Sequence, residues 1–202
     1  MPIRTFLFDL GNVLLRFSHE RMVAQVAAEC GRPPAWVKAW LIDGGRQWRF
    51  ERGEVSEAEF AAELSRDSGQ TVSVAAFRRA LADIFVPNPP MEEYVRDLGG
   101  RGHRLVLLSN TCASHIAWIR ERYTVLEPFD ELVLSHEVGA MKPDAPIFRA
   151  ALNAIGCPPG ECFYTDDIPA YVTAGGEHGL DAELFTTPDA FVEQLRQRGI
   201  AL

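Results

Sequence analysis

Five short apolar segments, each followed by a polar residue, constrain the fold of this 202-residue chain more than any other feature. They occupy residues 5–8, 105–108, 132–134, 162–165 and 182–185. A segment that is apolar at consecutive positions is buried on both faces, as are the strands of a parallel sheet covered by helices. We therefore interpret the five segments as buried strands of such a sheet.

Helical patterns separate the later segments and complete an alternation of strands and helices. These patterns run from Ala113 to Tyr123, from Asp144 to Ile155 and from Asp189 to Gln197. The alternation predicts an α/β fold with a Rossmann-like parallel-sheet core. Ligands bind outside the carboxyl ends of the strands in open α/β sheets. Because Asp9, Ser109 and Asp166 follow three of the predicted strands, we expect a binding site there.

A stretch without strand-like segments interrupts this alternation after the first strand. Its helical patterns run from Glu20 to Cys30, Pro34 to Ile42, Ser56 to Arg66 and Val74 to Phe85. Ser56 and Glu59 fit a capping box at the start of one of these helices. The sequence therefore predicts an α/β core made of residues 1–17 and 88–202. It also predicts an inserted all-helical cap domain of residues 18–87, which would lie over the ligand.

Composition and charge exclude several classes of protein. With 47% hydrophobic residues the chain can bury a large core, which excludes disorder as its main state. The net charge of −8 argues against a nucleic-acid or anionic-membrane surface. No apolar run approaches the roughly 20 residues of a membrane helix, and the first residues do not resemble a signal peptide. Four scattered cysteines indicate reduced thiols. We expect a cytoplasmic monomer or homodimer that binds neither nucleic acid nor membrane.

Acidic residues follow two of the predicted strands. Asp9 precedes a turn with Gly11, where a carboxylate can act as a nucleophile or a metal ligand; an ordinary turn aspartate is the alternative. Asp166 and Asp167 are adjacent after another strand, and a divalent cation such as Mg2+ would relieve their repulsion. The simpler alternative is that Asp167 caps the next helix. We favour the metal site.

Two further motifs suit an anionic ligand. Ser109 ends a strand before a helix, where it can bind an anion beside backbone N–H groups or act only as a helix cap. Lys142 precedes Pro143, which restricts the backbone and fixes a positive charge in the loop. A solvated loop lysine is the alternative for that residue.

In this order, the four motifs resemble those of the haloacid dehalogenase (HAD) superfamily. The resemblance covers about residues 5 to 185, in subfamily I, whose helical C1-type cap follows the first strand. The stretch from Glu51 to Ser56 is similar to cap sequences of that branch. The opening Asp9-Leu10-Gly11-Asn12 resembles the first motif of a branch that includes sugar-phosphate phosphatases.

The resemblance implies a Mg2+-dependent phosphomonoester hydrolase for a small phosphorylated metabolite, such as a sugar phosphate. Asp9 would be the nucleophile that forms an aspartyl-phosphate intermediate. Lys142 would offset the charge of the transition state. The residues that would bind the phosphoryl group are Ser109, Asn110 and Lys142. The residues that would hold Mg2+ are Asp9, Gly11 through its carbonyl, Asp166 and Asp167.

Two positions depart from the usual pattern of the family. Its phosphatases usually carry a proton-transferring Asp two residues after the nucleophile, where this chain has Gly11. A further Asp usually follows the metal-binding Asp by four residues, where this chain has Ala170. General acid–base catalysis is typically worth about 10²–10⁴ in rate. We therefore expect either substrates with weakly basic leaving groups or a proton donor in the cap, for which Glu51, Glu54 and His19 are candidates. An Asp restored at position 11 would speed hydrolysis of alkyl phosphates more than of aryl phosphates.

Two alternative functions stay open at this point. One is a metal-independent 2-haloacid dehalogenase, in which the aspartate attacks carbon. Such enzymes typically carry Ser and Asn where this chain has Asp166 and Asp167, so the paired acids argue against it. The other is a catalytically impaired HAD-like binding protein, because Gly11 and Ala170 lack two acids of the usual pattern.

Other chemically distinctive side chains have a simpler interpretation. Three cap tryptophans are expected to pack in the core, namely Trp36, Trp40 and Trp48. Three cap arginines are expected to be solvated, namely Arg46, Arg49 and Arg52. Four histidines without ligand spacing are expected to be structural or at the surface, namely His103, His115, His136 and His178.

Overall fold

The centre of the protein is a parallel β-sheet. The computed structural model describes residues 2–202. Its strands in chain order are β1 (Thr5–Phe8), β2 (Leu15–Phe17), β3 (Phe85–Pro87), β4 (Arg104–Ser109), β5 (Glu131–Leu134), β6 (Cys162–Asp166) and β7 (Asp181–Leu184). Within the described residues, five strands form a parallel sheet in the order β5-β4-β1-β6-β7. Each apolar segment of the sequence becomes one of these strands, which confirms the predicted Rossmann-like α/β core.

Helices connect and cover the strands. In chain order they are α1 (His19–Cys30), α2 (Pro34–Lys38), α3 (Arg46–Glu51), α4 (Glu57–Ser68), α5 (Val74–Ala82), α6 (Pro89–Gly100), α7 (Ala113–Arg122), α8 (Ser135–Val138), α9 (Ala145–Ala154), α10 (Pro169–Glu177) and α11 (Pro188–Gln197). A π-helical turn (Ala39–Asp43) follows α2, and a 3-10 turn (Pro159–Glu161) precedes β6. Across residues 2–202, none of the helices combines the length and apolar character needed to cross a membrane.

Side chains of the sheet divide between two hydrophobic clusters, one on each face. Phe6, Phe8 and Phe163 belong to a cluster with residues of α6, α7 and α11. Leu7 and Tyr164 belong to a second cluster with residues of α9 and α10. The strands β1, β4 and β6 are therefore buried on both faces, as predicted. The prediction of full burial was wrong for the edge strands β5 and β7, which are only partly buried because each has a neighbouring strand on one side alone.

A short antiparallel ribbon joins the two ends of the helical stretch that follows β1. It pairs β2 with β3, with Leu15 opposite Pro87 and Phe17 opposite Phe85. The segment predicted to be all-helical therefore contains α1 to α5 but ends in a strand, too short to produce a periodic signal. The predicted capping box is present at α4, with Ser56 and Glu59 bonded in both directions. The division into a core and a cap domain at residues 17/18 and 87/88 stays a prediction.

Candidate active site

The predicted polar residues lie together at the carboxyl ends of three adjacent strands, β4, β1 and β6. Asp9 directly follows β1, and its backbone N–H donates a hydrogen bond to the carbonyl oxygen of Thr165 at 3.1 Å. Ser109 and Asp166 are the last residues of β4 and β6. All three polar side chains are buried. The parallel order of the strands thus gathers them at one edge of the sheet, as expected for an open α/β fold.

Lys142 connects these groups. Its Nζ donates to Asp9 Oδ1 at 2.7 Å, to Asp166 Oδ2 at 2.6 Å and to the carbonyl oxygen of Leu108 at 2.9 Å. The lysine side chain is almost completely buried. An ammonium group has three protons, so all of them are used. The loop therefore presents a fixed positive charge between two buried carboxylates.

Burial and the opposite charge of a neighbour act in opposite directions on the pKa values of Asp9 and Lys142. Burial raises the pKa of Asp9, the Lys142 ammonium lowers it, and the Asp166 carboxylate raises it. For Lys142, burial alone would lower the pKa, but the carboxylates of Asp9 and Asp166 outweigh that effect and raise it. The lysine is therefore protonated in the folded protein at neutral pH.

Three carboxylates of this site form a group that could hold a metal ion. Asp9, Asp166 and Asp167 each offer an oxygen, and these oxygens lie within 4.8 Å of one another. One lysine does not neutralise three carboxylates, and Mg2+ prefers carboxylates together with waters and phosphate oxygens. The donor set therefore fits Mg2+. Gly11 lies on the same cavity, whereas Ala170, exposed on α10, contributes no carboxylate.

Asn110 holds the backbone of the lysine loop. Its Oδ1 accepts a hydrogen bond from the Lys142 N–H at 2.8 Å, and its Nδ2 donates to the Lys142 carbonyl oxygen at 3.0 Å. The same Nδ2 lies 3.3 Å from the hydroxyl of Tyr171. The amide thus fixes the position from which the lysine side chain reaches the two aspartates.

Two further side chains orient carboxylates of the group that could hold a metal ion. The Tyr164 hydroxyl donates to Asp166 Oδ2 at 2.6 Å, and Asn12 Nδ2 donates to Asp167 Oδ2 at 3.0 Å. The sequence analysis did not identify Tyr164. Because side chains alternate along a strand, a residue two positions before Asp166 shares its side, and this spacing was the available signal.

A cavity of about 210 Å³ lies between this edge of the sheet and the helical stretch. Among the described residues that line it, Lys142 is the one lysine or arginine. Much of its wall is apolar, formed by Phe17, Trp48, Ile84, Phe85, Met141 and Ile168. A mostly apolar wall with a few convergent polar groups is typical of small-molecule sites.

The tryptophans of the helical stretch are packed or exposed, and its arginines are ion-paired. Trp40 is buried and stacks on Phe60, with Trp36 beside it, as predicted. The prediction for Trp48 was wrong, because its side chain is 55% exposed and lines the cavity from the short helix α3. The three arginines form ion pairs with acids at partly exposed positions and are absent from the described cavity lining; they are Arg46, Arg49 and Arg52.

Position 11 is closed by an aromatic ring. A Cβ atom on Gly11 would lie 2.8 Å from Cε1 of Phe17. The Phe17 ring also contacts His19 edge-on, with ring centroids 5.0 Å apart. A side chain at position 11 would therefore clash with this ring at its first atom unless the ring shifted.

The three candidate proton donors of the helical stretch lie in different surroundings. Glu51 and His19 line the cavity, whereas Glu54 is exposed and ion-paired. Glu51 is 8% exposed, and burial raises its pKa to about 7 although a hydrogen bond from Gln47 and the charge of Arg52 lower it. Burial lowers the pKa of His19.

His115 also faces the cavity, which the sequence analysis did not foresee. It is buried against the edge of Phe85, and its Nε2 has no hydrogen-bond partner within residues 2–202. Burial lowers its pKa to about 4, so the imidazole is neutral at physiological pH.

Fold and site together define an α/β enzyme with an acidic site at the carboxyl edge of its central strands. The chain belongs to the haloacid dehalogenase-like hydrolase family, whose sequence profile matches residues 3–179. This match confirms the resemblance to the superfamily and the assignment as a hydrolase. The subfamily and the branch with sugar-phosphate phosphatases stay predictions.

Relatives of this chain carry phosphatase names. The glyceraldehyde 3-phosphate phosphatase of Methanothermobacter thermautotrophicus is 37% identical over 168 residues, which are 78% of this chain and 74% of that protein. The sesquiterpene phosphatase astK of Aspergillus oryzae is 27% identical over 192 residues, 95% of this chain and 94% of that protein. A HAD-family enzyme of Bacteroides thetaiotaomicron, solved as a magnesium complex, is 25% identical with a TM-score of 0.80, covering 93% of this chain and 94% of that one. These similarities support a phosphatase function.

Proposed function

We propose that this protein is a Mg2+-dependent phosphomonoester hydrolase for a small phosphorylated metabolite. The observation that carries the proposal is the buried group of Asp9, Lys142 and Asp166, in which one ammonium lies within hydrogen-bond distance of both carboxylates. The phosphatase names of the relatives support the reaction class, and the glyceraldehyde 3-phosphate phosphatase supports a sugar phosphate as substrate.

In this proposal the reaction has two displacements. An oxygen of Asp9 attacks phosphorus, the bond to the leaving oxygen breaks, and an aspartyl phosphate forms. Water then attacks phosphorus, releasing inorganic phosphate and restoring the Asp9 carboxylate. Ser109 binds the phosphoryl oxygens, and the fixed charge of Lys142 offsets the negative charge of the transition state, which lowers the barrier. Direct binding of the phosphoryl group by Lys142 stays a prediction. Asn110 holds the lysine loop, and its direct contact with the phosphoryl group stays a prediction.

Mg2+ would be held by carboxylate oxygens of Asp9, Asp166 and Asp167 and by the carbonyl of Gly11. When bound, it would neutralise negative charge that otherwise opposes the approach of the phosphate and the Asp9 carboxylate. Asn12 and Tyr164 keep two of these carboxylates in place through the hydrogen bonds described above.

The test is hydrolysis of p-nitrophenyl phosphate by the purified protein with Mg2+ and with EDTA. Because p-nitrophenolate leaves without a proton, the lack of a proton donor at position 11 should not prevent its release. We expect Mg2+-dependent turnover in the wild type and in Asp189→Asn, an exposed control, and background turnover in Asp9→Asn. Turnover retained by Asp9→Asn would contradict the proposal. Absence of turnover in the wild type would favour a binding role or a metal-independent dehalogenase, and 2-haloacids would then be assayed.

A further inference from the structure

We propose that Glu51 is the general acid and base that Gly11 cannot provide. The inference rests on the proposed phosphatase function and gives one residue of the helical stretch a place in its reaction. Three kinds of observation carry it: the anchoring of Glu51 beside the site, the chemical surroundings of its carboxyl group, and the position of Phe17.

The backbone of Glu51 is tied to the loop that follows β4. The Ser135 hydroxyl oxygen accepts a hydrogen bond from the Thr111 N–H at 2.8 Å, and its one proton is shared between the carbonyl oxygens of Glu51 at 2.6 Å and Thr111 at 2.9 Å. Thr111 lies two residues after Ser109. One serine thus links the end of α3 to the loop proposed to bind the phosphoryl group.

Gly53 allows this close approach. Its φ is +70°, and a Cβ atom there would clash with the carbonyl oxygen of His136. A side chain at this position would push the segment away from α8. The turn after Glu51 therefore packs directly on the backbone beside Ser135, which holds Glu51 on the cavity wall.

The carboxyl group of Glu51 is buried without a cationic partner. Its Oε1 accepts a hydrogen bond from Gln47 Nε2 at 2.7 Å, while Oε2 has no hydrogen bond and neither oxygen is ion-paired within residues 2–202. The titratable groups around it are Arg52 on its own segment, His19 on α1, Cys112 just before α7, His115 on α7 and Tyr171 on α10. Burial dominates these influences and raises its pKa to about 7, close to the value that suits a general acid–base at neutral pH.

The other two candidates are less suited to give up a proton here. Gln47 Nε2 lies 3.3 Å from His19 Nε2, and since an amide nitrogen only donates, that ring nitrogen acts as an acceptor. Glu54 is paired with Arg52 and Arg49 away from the described cavity lining. His19 and Gln47 therefore act as positioning residues for Glu51.

The in-line geometry of phosphoryl transfer also favours Glu51. In phosphoryl transfer the attacking and leaving oxygens are roughly in line with phosphorus. Asp9 attacks from the edge of the sheet, so the leaving oxygen faces the helical stretch, where Glu51 lines the same cavity. Position 11, from which the family's usual proton donor would act, has no side chain and is contacted by the ring of Phe17.

The proton transfers balance in both displacements. In the first, the protonated Glu51 carboxyl gives its proton to the leaving oxygen as the phosphorus–oxygen bond breaks, which yields the alcohol and a Glu51 carboxylate. In the second, that carboxylate takes a proton from the attacking water as the bond between phosphorus and Asp9 breaks. Inorganic phosphate leaves, and Glu51 is protonated again.

The experiment compares Glu51→Gln with the wild type on benzyl phosphate and p-nitrophenyl phosphate, both with Mg2+. The two esters carry aromatic rings of similar size, but benzyl alcohol needs a proton to leave and p-nitrophenolate does not. We expect kcat/KM for benzyl phosphate to fall about 10²–10⁴-fold and that for p-nitrophenyl phosphate to stay within about tenfold. In the wild type, kcat/KM for benzyl phosphate should fall as the pH rises above about 7, and this limb should be absent in Glu51→Gln.

Glu54→Gln, in the same segment, is the matched control and should leave the ratio of the two substrates unchanged. Equal losses on both esters in Glu51→Gln would show a structural role for Glu51 and overturn the proposal, and so would no loss on either. If the wild type hydrolyses neither ester with Mg2+, the phosphatase function itself is overturned. The retained hydrolysis of p-nitrophenyl phosphate shows that the variant is folded.

Discussion

The ring of Phe17 takes the place that a side chain on Gly11 would need, with Cε1 2.8 Å from the position of a Cβ atom. Phe17 is held there by the β2–β3 ribbon, in which it pairs with Phe85. A glycine at position 11 therefore fits the packing of Phe17 around the cavity. The side chain of an Asp introduced there would contact the ring of Phe17 as well as the cavity.

Gly11→Asp should consequently destabilise the protein. Overpacking at a closed position costs about 1–3 kcal/mol. Combining it with Phe17→Ala should cost less than the sum of the two single changes, because the ring that clashes is gone. Urea unfolding of the two single variants and the double variant measures this coupling. Strictly additive effects would show that the ring of Phe17 does not restrict position 11.

The faster hydrolysis of alkyl phosphates that we expect from an Asp at position 11 should be measured in the double variant, in which the ring of Phe17 is absent.

Lys142→Met should destabilise the protein far more than Lys38→Met. Removing Lys142 leaves the buried carboxylates of Asp9 and Asp166 without their shared cation, and breaking a buried ion pair from one side costs about 3–5 kcal/mol. Lys38 forms an exposed pair with Asp43, whose loss costs about 0–1 kcal/mol. Urea unfolding at pH 7 in EDTA provides the comparison. Similar losses in both variants would mean that Lys142 contributes no more than a surface lysine.

The sheet was predictable from sequence because five strands are short apolar segments that end in polar residues. The ribbon strands β2 and β3 were not, since three residues are too few for a periodic signal. Pro89 and Pro90 occupy the first turn of α6, a position that tolerates proline because its N–H has no helical partner.

The site was predictable to the extent that topology alone determines it. Asp9, Ser109 and Asp166 follow strands that turned out to be neighbours, so their proximity follows from strand order. The exposure of Trp48 and the proximity of Phe17 to Gly11 depend on how the helical stretch packs on the core. No local pattern in the sequence reports that packing. For the same reason the sequence left Glu51, Glu54 and His19 as equal candidates.

Mg2+ should stabilise the folded protein through Asp167 and its neighbours. A ligand that binds only the folded state at 100 times its Kd adds about 2.7 kcal/mol of stability. The rise in Tm on adding Mg2+ should therefore be clear in the wild type and in the exposed control Asp189→Asn, and much smaller in Asp167→Asn. Thermal unfolding with and without Mg2+ measures each difference within one variant. An equal rise in all three proteins would place the metal elsewhere.

Glu51 should also make stability depend on pH. Its pKa is about 7 in the folded protein and has an ordinary value of 4.5, so the unfolded chain releases this proton more readily. The ionisation of Glu51 therefore costs no stability below pH 4.5, and the cost grows as the pH rises to about 7, where it is on the order of 3 kcal/mol. Glu51→Gln should gain stability relative to the wild type across this range. Urea unfolding at pH 4.5 and pH 8 measures the gain, and a difference that does not change with pH would contradict the raised pKa.

Trp48 should contribute to substrate binding rather than to stability. Its ring is 55% exposed at the cavity wall, with Ile168 also exposed on the core side, so an apolar leaving group can bury both. Contacts between aromatic rings are worth about 0.5–1.5 kcal/mol, so Trp48→Ala should raise KM for benzyl phosphate roughly 2–10-fold. KM for methyl phosphate, which has no ring, should not change, and neither should Tm. Val86→Ala, at an exposed residue outside the described cavity lining, is the control and should alter neither KM. If Trp48→Ala raises both KM values equally, the ring orders the segment that carries Glu51 instead of contacting the leaving group.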